Sequence, residues 1–525
     1  MIRTADGTTP VPGSDAVAPP RRGTALLLAV VVALTGLTLV LGYVNKARCT
    51  GPEFDAQGRS APDYENRKDL DVCYSDIQHL WIGRDIDEHV FPYVDGGIDA
   101  DGKLTGGTVE YPVLTGLIMW LAALGAHTDA GFLLASALIM APFGLATGWL
   151  LGRLSRWRAL LWALGPPLVL YAFHNWDLPV VACAVGAVFV LHGLRSRWSL
   201  RRRGTVAAVL LGLGFALKLY PGAFVLPLAL YVLTRGEDRV PGGRLDWWGA
   251  VRVAGAAVLT VVAVNLPFAI AGFDGWRASF TFQQLRKVDF TTNSFWFWGF
   301  RPYSEPDDVA FQDLVSWLSP TLIIASFLLA AGVGLWRMRR LGSYPWVAVS
   351  AAMLCGFLLL HKVHSPQYTL WLLPFFVLLR VPWGVVAGYL VADAVMGIGI
   401  FRWLYDVRAG VDLEITQGLA AQAVAVGVWG RAALLVALFV LFLRVPPTFA
   451  LRPPPPADAP EQPPSEPEGR DEPAAAKATS DAEQPGSEQP GSEQPGEEKA
   501  SAEKASAEKA REPVGDTPSS AAPAP

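Results

Sequence analysis

From Gly23 to Leu443 the chain is a succession of apolar runs separated by short polar links, and arginines gather in alternate links. The runs lie near 23–44, 130–152, 159–173, 177–194, 205–218, 221–234, 248–270, 316–336, 345–361, 368–380, 383–403 and 418–443. About 20 apolar residues match the hydrocarbon thickness of a bilayer, where a helix satisfies its own backbone hydrogen bonds. The pattern therefore predicts an all-α fold, a polytopic membrane helix bundle of about twelve transmembrane helices. Composition agrees, since 52% of the 525 residues are hydrophobic and only 17% are charged, too few to coat a soluble surface. The 19 Trp and 25 Phe suit the aromatic belts of a membrane protein. A net charge of −4 gives no sign of a nucleic-acid partner.

The arginines set an orientation. Arg21 and Arg22, Arg153 to Arg158, Arg195 to Arg203, Arg235 and Arg239, Arg337 to Arg340 and Arg444 all fall on one side if each run crosses once. Basic links face the cytoplasm, so the expectation is an inner-membrane protein with both termini cytoplasmic. The first run is too long for the core of a signal peptide and reads as an uncleaved helix. Segment 112–125 is too short to cross, and crossing would put the Arg153 cluster outside; a half-buried or interfacial helix is expected. The non-cytoplasmic links are then 45–111, 174–176, 219–220, 271–315, 362–367 and 404–417. Three regions result: a disordered segment 1–22, a transmembrane domain 23–445, and a tail 446–525. The tail carries PPPP, GSEQPGSEQPG and SAEKASAEKA. Such composition buries too little apolar surface to fold alone, so a disordered cytoplasmic tail, open to cytoplasmic protein partners, is expected.

Polar residues beside a membrane segment are costly to keep, and four groups fall on the non-cytoplasmic side. The first loop holds Asp71, Asp76, Arg84, Asp85, Asp87, Glu88 and His89, with Ile77, Leu80, Trp81 and Ile82 interleaved. That stretch reads as an amphipathic interfacial helix or as a solvated cap. The second group is His174-Asn175-Trp176-Asp177, where Asp177 fits a helix N-cap. The third is Lys218-Leu219-Tyr220-Pro221, whose lysine is either a snorkelling anchor or a cation for a phosphate. The fourth is His361-Lys362-Val363-His364-Ser365-Pro366-Gln367-Tyr368. No HExxH or paired Cys/His spacing marks a metal site. Cys183 and Cys355 lie inside apolar runs as packing residues, whereas Cys49 and Cys73 share the first loop. An exported loop permits a disulfide between these two, and a count of two leaves the bridge open.

From the first helix to about residue 443 the chain resembles the GT-C superfamily of integral-membrane glycosyltransferases, and the GT87 group in particular. The matching motifs are Tyr74-Ser75-Asp76-Ile77 followed by Val90-Phe91-Pro92-Tyr93, then Val109-Glu110-Tyr111-Pro112, His174-Asn175, Lys218 to Pro221, and His364 to Tyr368. Only one proline follows Tyr111, and the HNWD turn carries no glutamine.

The resemblance implies inverting transfer of a hexose, mannose foremost, from a polyprenyl-phosphate donor to a cell-envelope glycolipid or glycan acceptor outside the cytoplasm. It implies no bound cofactor and leaves a divalent metal open. A base must take the acceptor proton, with Asp76 the first choice and Asp71 the second. Cations must steady the leaving phosphate, with Lys218 first and Lys362 and His364 next. His361, Asn175, Trp176 and Gln367 are candidates to hold the sugar. Trp276, Trp296, Trp298, Arg301 and Tyr303 are further stacking candidates, or an aromatic belt. The glycines of 212–217 sit inside an apolar run and read as packing, which disfavours a nucleotide-sugar donor. A transporter or flippase of a lipid-linked or small anionic substrate is the alternative, with polar residues expected near the midplane.

Overall fold

The computed structural model describes residues 22–240, 242–300, 308–411 and 418–449. Residues 1–21 of the predicted segment 1–22, Arg301, Tyr303 and the tail from 450 onward lie outside the described residues. The fold is all-α apart from two small antiparallel hairpins in the first loop, Glu53–Phe54 with Ser60–Ala61 and Gly97–Ile98 with Leu104–Thr105.

Among the described residues six helices are long and apolar enough to cross a membrane: Gly23–Ala47, Asp129–Ala163, Trp247–Ala271, Val309–Leu341, Trp383–Arg408 and Leu419–Arg444. The expected count of twelve is not confirmed, because prolines interrupt some of the other apolar runs. The run 159–173 is cut at Gly165-Pro166 into Leu160–Ala163 and Pro166–Tyr171, because proline lacks the N–H that would continue the first piece. The run 221–234 opens as a 3-10 turn at Tyr220–Phe224 before Val225–Leu233. Run 368–380 becomes the helix Thr369–Leu378, in which all ten residues are buried. The helix Trp346–Leu360 buries twelve of its fifteen. These last two helices are wrapped by protein, which can meet the needs of short backbones that do not cross a bilayer. The long helices Trp247–Ala271 and Val309–Leu341 instead expose Leu259, Ile270, Trp317 and Leu328, as lipid-facing helices do.

Segment 112–125 forms the eleven-residue helix Val113–Ala123. The amphipathic stretch of the first loop forms a helix only over Asp76–Gly83. It docks Ile77, Leu80 and Trp81 into the bundle, with the Trp81 ring 5.4 Å from that of Phe132, rather than lying on an interface. Two anchors hold the loop down. Cys49 and Cys73 form a disulfide. The fully buried Asp129 carboxylate accepts from Ser60 N at 3.0 Å and Ser60 Oγ at 2.6 Å, and pairs with Arg59 at 3.3 Å.

The helix ends fall into two sets. Asp177 at the start of Leu178–Gly193 meets Lys218 at the end of Leu200–Leu217. Lys46, near the end of Arg22–Ala47, meets Tyr74 and His174. At the opposite ends Trp346 meets His192, and Arg337 meets the Arg444 carbonyl. Residues 446–449, expected to begin the disordered tail, are an ordered strap there. Thr448 N donates to Leu378 O at 2.8 Å and Arg380 N to Pro446 O at 3.0 Å. The prolines turn the chain across the end of the bundle and the threonine pins it.

Candidate active site

Two chain segments distant in sequence are stitched together before any acidic side chain is placed. Ser75 caps the helix Asp76–Gly83 by accepting from Ile77 N at 3.2 Å, and its hydroxyl donates to the Phe173 carbonyl at 2.7 Å. Asp76 N donates to the His174 carbonyl at 2.8 Å. The first loop is thus fixed on the turn that carries Asn175. Asp76, the first helical residue, sits where the helix dipole favours a negative charge.

Asn175 is the centre of the cluster. Its Nδ2 donates to Asp76 Oδ2 at 2.5 Å and to Tyr111 Oη at 2.7 Å. Its Oδ1 accepts from Lys218 Nζ at 2.9 Å and Trp176 N at 2.6 Å. An ammonium and a backbone N–H can only donate and a carboxylate only accept, so the partners fix which way the amide points. Asp76 is half-buried, and its Oδ1 takes the Tyr74 hydroxyl at 2.7 Å. Lys218, in extended backbone after its helix, also pairs with Asp177 Oδ1 at 3.2 Å and lies 4.8 Å from the Tyr111 ring centroid. Asp177 is fully buried, takes the Trp371 indole N–H at 2.8 Å, and leaves Oδ2 without a partner. Burial raises the Asp177 carboxyl above its usual range, and Lys218 opposes that shift. His174 is held well below its usual value by burial, then by Lys46 and Lys218, so it is neutral.

The 361–368 segment lies across an aromatic wall from this cluster. Trp371 stacks on Tyr368 at 3.9 Å and on Tyr220 at 4.3 Å, and Phe357 stacks on His361 at 4.8 Å. Lys362 Nζ donates to the Gln284 carbonyl at 3.0 Å. Arg286, at the end of Phe273–Leu285, is the nearby charge felt by Lys362, His361 and Tyr368. Its half-buried guanidinium makes no hydrogen bond or ion pair among the described residues. Burial brings the His361 ring down to about 4. Tyr220 and Phe357 of this wall also line an apolar groove of about 260 Å³, together with Leu219, Ala223, Phe224, Ile323, Phe327, Met353 and Leu354.

The structure therefore brings Asp76, Asn175 and Lys218 into one hydrogen-bonded unit and sets His361 and Lys362 beside Arg286. Other candidates go elsewhere. Asp71 is exposed on the loop and its side chain is outside the cluster. Trp176 is fully buried, its ring 5.6 Å from Tyr111 and 6.0 Å from Phe132. His364 is buried with Nδ1 3.1 Å from Leu358 O, and burial with Arg431 nearby keeps it neutral, so it adds no charge for a phosphate. Gln367 is buried with Oε1 unpartnered. Trp296 and Trp298 are buried, Trp296 donating to Leu360 O at 2.8 Å, whereas Trp276 donates to Asn265 at 3.0 Å.

Sequence reasoning passed over Lys46, Tyr111, Arg286 and Trp371 as site residues. Tyr111 stood in a noted motif, but nothing local marks the others. It also passed over three Asp-x-Asp pairs in the first loop: Asp69 with Asp71, Asp85 with Asp87, and Asp99 with Asp101. The structure gives one member of each an internal partner. Asp69 pairs with Arg408 at 2.5 Å, Asp85 accepts from Gly107 N, and Asp99 accepts from Asp101 N and Lys103 N. Among the described residues no three His, Cys, Asp or Glu side chains converge as metal ligands would.

No curated protein sequence matches the chain. A crystal structure of ArnT from Cupriavidus metallidurans bound to undecaprenyl phosphate aligns over 79% of this chain and 77% of that one. The identity is 15% and the TM-score 0.37. Residues 110–366, which carry Tyr111, Asn175, Lys218 and His361, match the model of glycosyltransferase family 87. That segment is of glycosyltransferase family 87, and the chain is a multi-pass membrane glycosyltransferase.

Proposed function

We propose that this enzyme moves a hexose, mannose first among them, from a polyprenyl-phosphate donor to a cell-envelope glycolipid or glycan acceptor. The reaction is assigned to the non-cytoplasmic face of the inner membrane, the side without the arginine clusters. One observation carries the reading: the groove of Leu219 to Phe357 is apolar and ends against the aromatic wall beside Lys218, His361, Lys362 and Arg286. A prenyl tail fits the groove, and its phosphate then meets the cations.

In the reaction assigned here, Asp76 Oδ takes the proton of the acceptor hydroxyl as that oxygen bonds to the anomeric carbon. The bond from that carbon to the phosphate oxygen breaks on the opposite face, which inverts the centre. The electron pair leaves on the polyprenyl phosphate. Arg286 and Lys362 face that charge, because neither has a carboxylate partner among the described residues. Lys218 is already committed to Asp177 and Asn175, so its first task is to hold Asn175 and through it Asp76. His361 and Asn175 remain the nearest groups to hold the sugar. The transporter reading gains nothing from this arrangement, because the cluster lies at helix ends rather than at mid-helix.

The test is transfer by purified protein in vesicles, comparing polyprenyl-phosphate mannose, glucose and arabinose with nucleotide sugars. Transfer from a polyprenyl-phosphate sugar alone is expected, with Arg286→Gln/Lys362→Gln losing about 100-fold or more in kcat/KM. Transfer from nucleotide sugars, or an undiminished double variant, contradicts the assignment.

A further inference from the structure

At the other end of the bundle lies a cavity of about 210 Å³, bounded by Arg337, Ser343, Tyr344, Trp346, Arg444 and Phe449. The strap 446–449, pinned at Thr448, forms one wall. The helix Trp346–Leu360 starts at this cavity and ends at His361, so the two sites stand about 22 Å apart at 1.5 Å per residue.

The charges at its mouth are unbalanced. Arg337 donates to the Arg444 carbonyl at 3.2 Å, and the charged groups that face it are Arg340 and Arg444. None of the three arginines has a salt-bridge partner among the described residues. Glu237 is the carboxylate bound to Tyr231, which lines the cavity, and Arg195 and Arg203 already hold it at 3.2 and 2.7 Å. Arg337 therefore faces two like charges, which repel it unless an anion enters.

The surroundings say which anion. The walls are mainly apolar and aromatic, whereas a soluble anion needs a polar, hydrated lining. Exposed Leu335, Trp336 and Leu341 adjoin the cavity, and the Arg340 guanidinium lies 4.9 Å from the Trp336 ring centroid. Exposed Trp beside Arg at the end of a spanning helix marks headgroup depth. We infer that this cavity binds the phosphodiester headgroup of an anionic phospholipid, with Arg337 and Arg444 on the phosphate, Ser343 as a neutral donor, and an acyl chain along the apolar wall. Basic recesses between spanning helices suit such headgroups. The lipid joins the ends of Val309–Leu341 and Leu419–Arg444 by replacing their mutual repulsion with shared attraction.

The test uses the full chain in detergent, with unfolding followed by tryptophan fluorescence and bound lipid counted by native mass spectrometry. Phosphatidylglycerol is expected to raise the unfolding midpoint by several degrees and to remain bound, whereas phosphatidylcholine and inorganic phosphate do neither. Arg337→Gln/Arg444→Gln is expected to lose most of that shift, and Arg337→Lys/Arg444→Lys to keep part of it. Ser343→Trp fills the cavity without changing charge and must also abolish the shift, which decides the matter if the glutamine variant does not fold. Equal stabilisation by phosphatidylcholine or inorganic phosphate, or a full shift in Ser343→Trp, overturns the proposal.

Discussion

The Lys218–Asp177 pair separates a structural lysine from a phosphate-binding one. Lys218 is 8% exposed and Asp177 0%, and Asp177 Oδ2 already lacks a partner. Lys218→Met keeps the length of the side chain but strands a buried carboxylate, which costs about 3–5 kcal/mol when one member of such a pair is removed. Adding Asp177→Asn removes the stranded charge, and the Trp371 indole can still donate to the amide oxygen. The double variant should therefore recover most of the loss, leaving about 1–2 kcal/mol for the missing contact to Asn175. The assay is a double-mutant cycle by denaturant unfolding in detergent, read by tryptophan fluorescence, with transfer activity measured alongside. A coupling energy of about 2 kcal/mol or more is expected. Activity in the double variant should fall about tenfold or somewhat more, the worth of one charge-assisted hydrogen bond orienting Asn175. A coupling below about 0.5 kcal/mol refutes the pairing argument. A folded double variant that is wholly inactive refutes the secondary role of Lys218 and restores it as the phosphate ligand.

Other predictions follow from the same contacts. His174, His361 and His364 are held neutral by burial, His361 down to about 4. Unfolded histidines titrate near 6.5, so their contribution to stability is complete above about pH 6.5 and is lost as pH falls toward 4. Unfolding midpoints from pH 8 to 4 should show that fall, and His361→Gln should flatten part of it. Arg431, 3% exposed, donates to the Asn293 carbonyl at 2.8 Å, next to Thr292, whose carbonyl takes His364 N at 2.7 Å. Arg431→Met should destabilise by about 3 kcal/mol and raise KM for the donor, as read by unfolding and kinetics. Replacing Cys49 and Cys73 by serine should cost about 3 kcal/mol, seen as faster proteolysis of the first loop than of the bundle.

The sequence made the helices legible because most apolar runs became helices close to where hydropathy put them. It did not reveal which of them cross. Hydropathy measures apolarity, and a helix such as Thr369–Leu378, buried entirely in protein, is as apolar as one facing lipid. The prolines at 166, 167 and 221 carried the signal for interruption. In the site, Asp76, Asn175 and Lys218 were readable because polar groups beside apolar runs are rare. Their mutual contact was not, since it depends on Ser75 reaching Phe173 across 98 positions. Arg286 looked like any loop arginine; its place beside His361 and Lys362, with no carboxylate partner among the described residues, distinguishes it. Trp176 and His364 turn into the packed interior, and their motifs say nothing about which way a side chain turns.

The most direct test is sugar transfer by Asp76→Asn in reconstituted vesicles with the donor the wild type uses. The substitution keeps the shape of the site, since the amide oxygen can still accept from Asn175 and its nitrogen can donate to the Tyr74 hydroxyl, but it removes the base. A wild-type unfolding profile with transfer reduced by about 100-fold to 10,000-fold is the predicted result. Transfer at the wild-type rate in a folded Asp76→Asn protein would contradict the account.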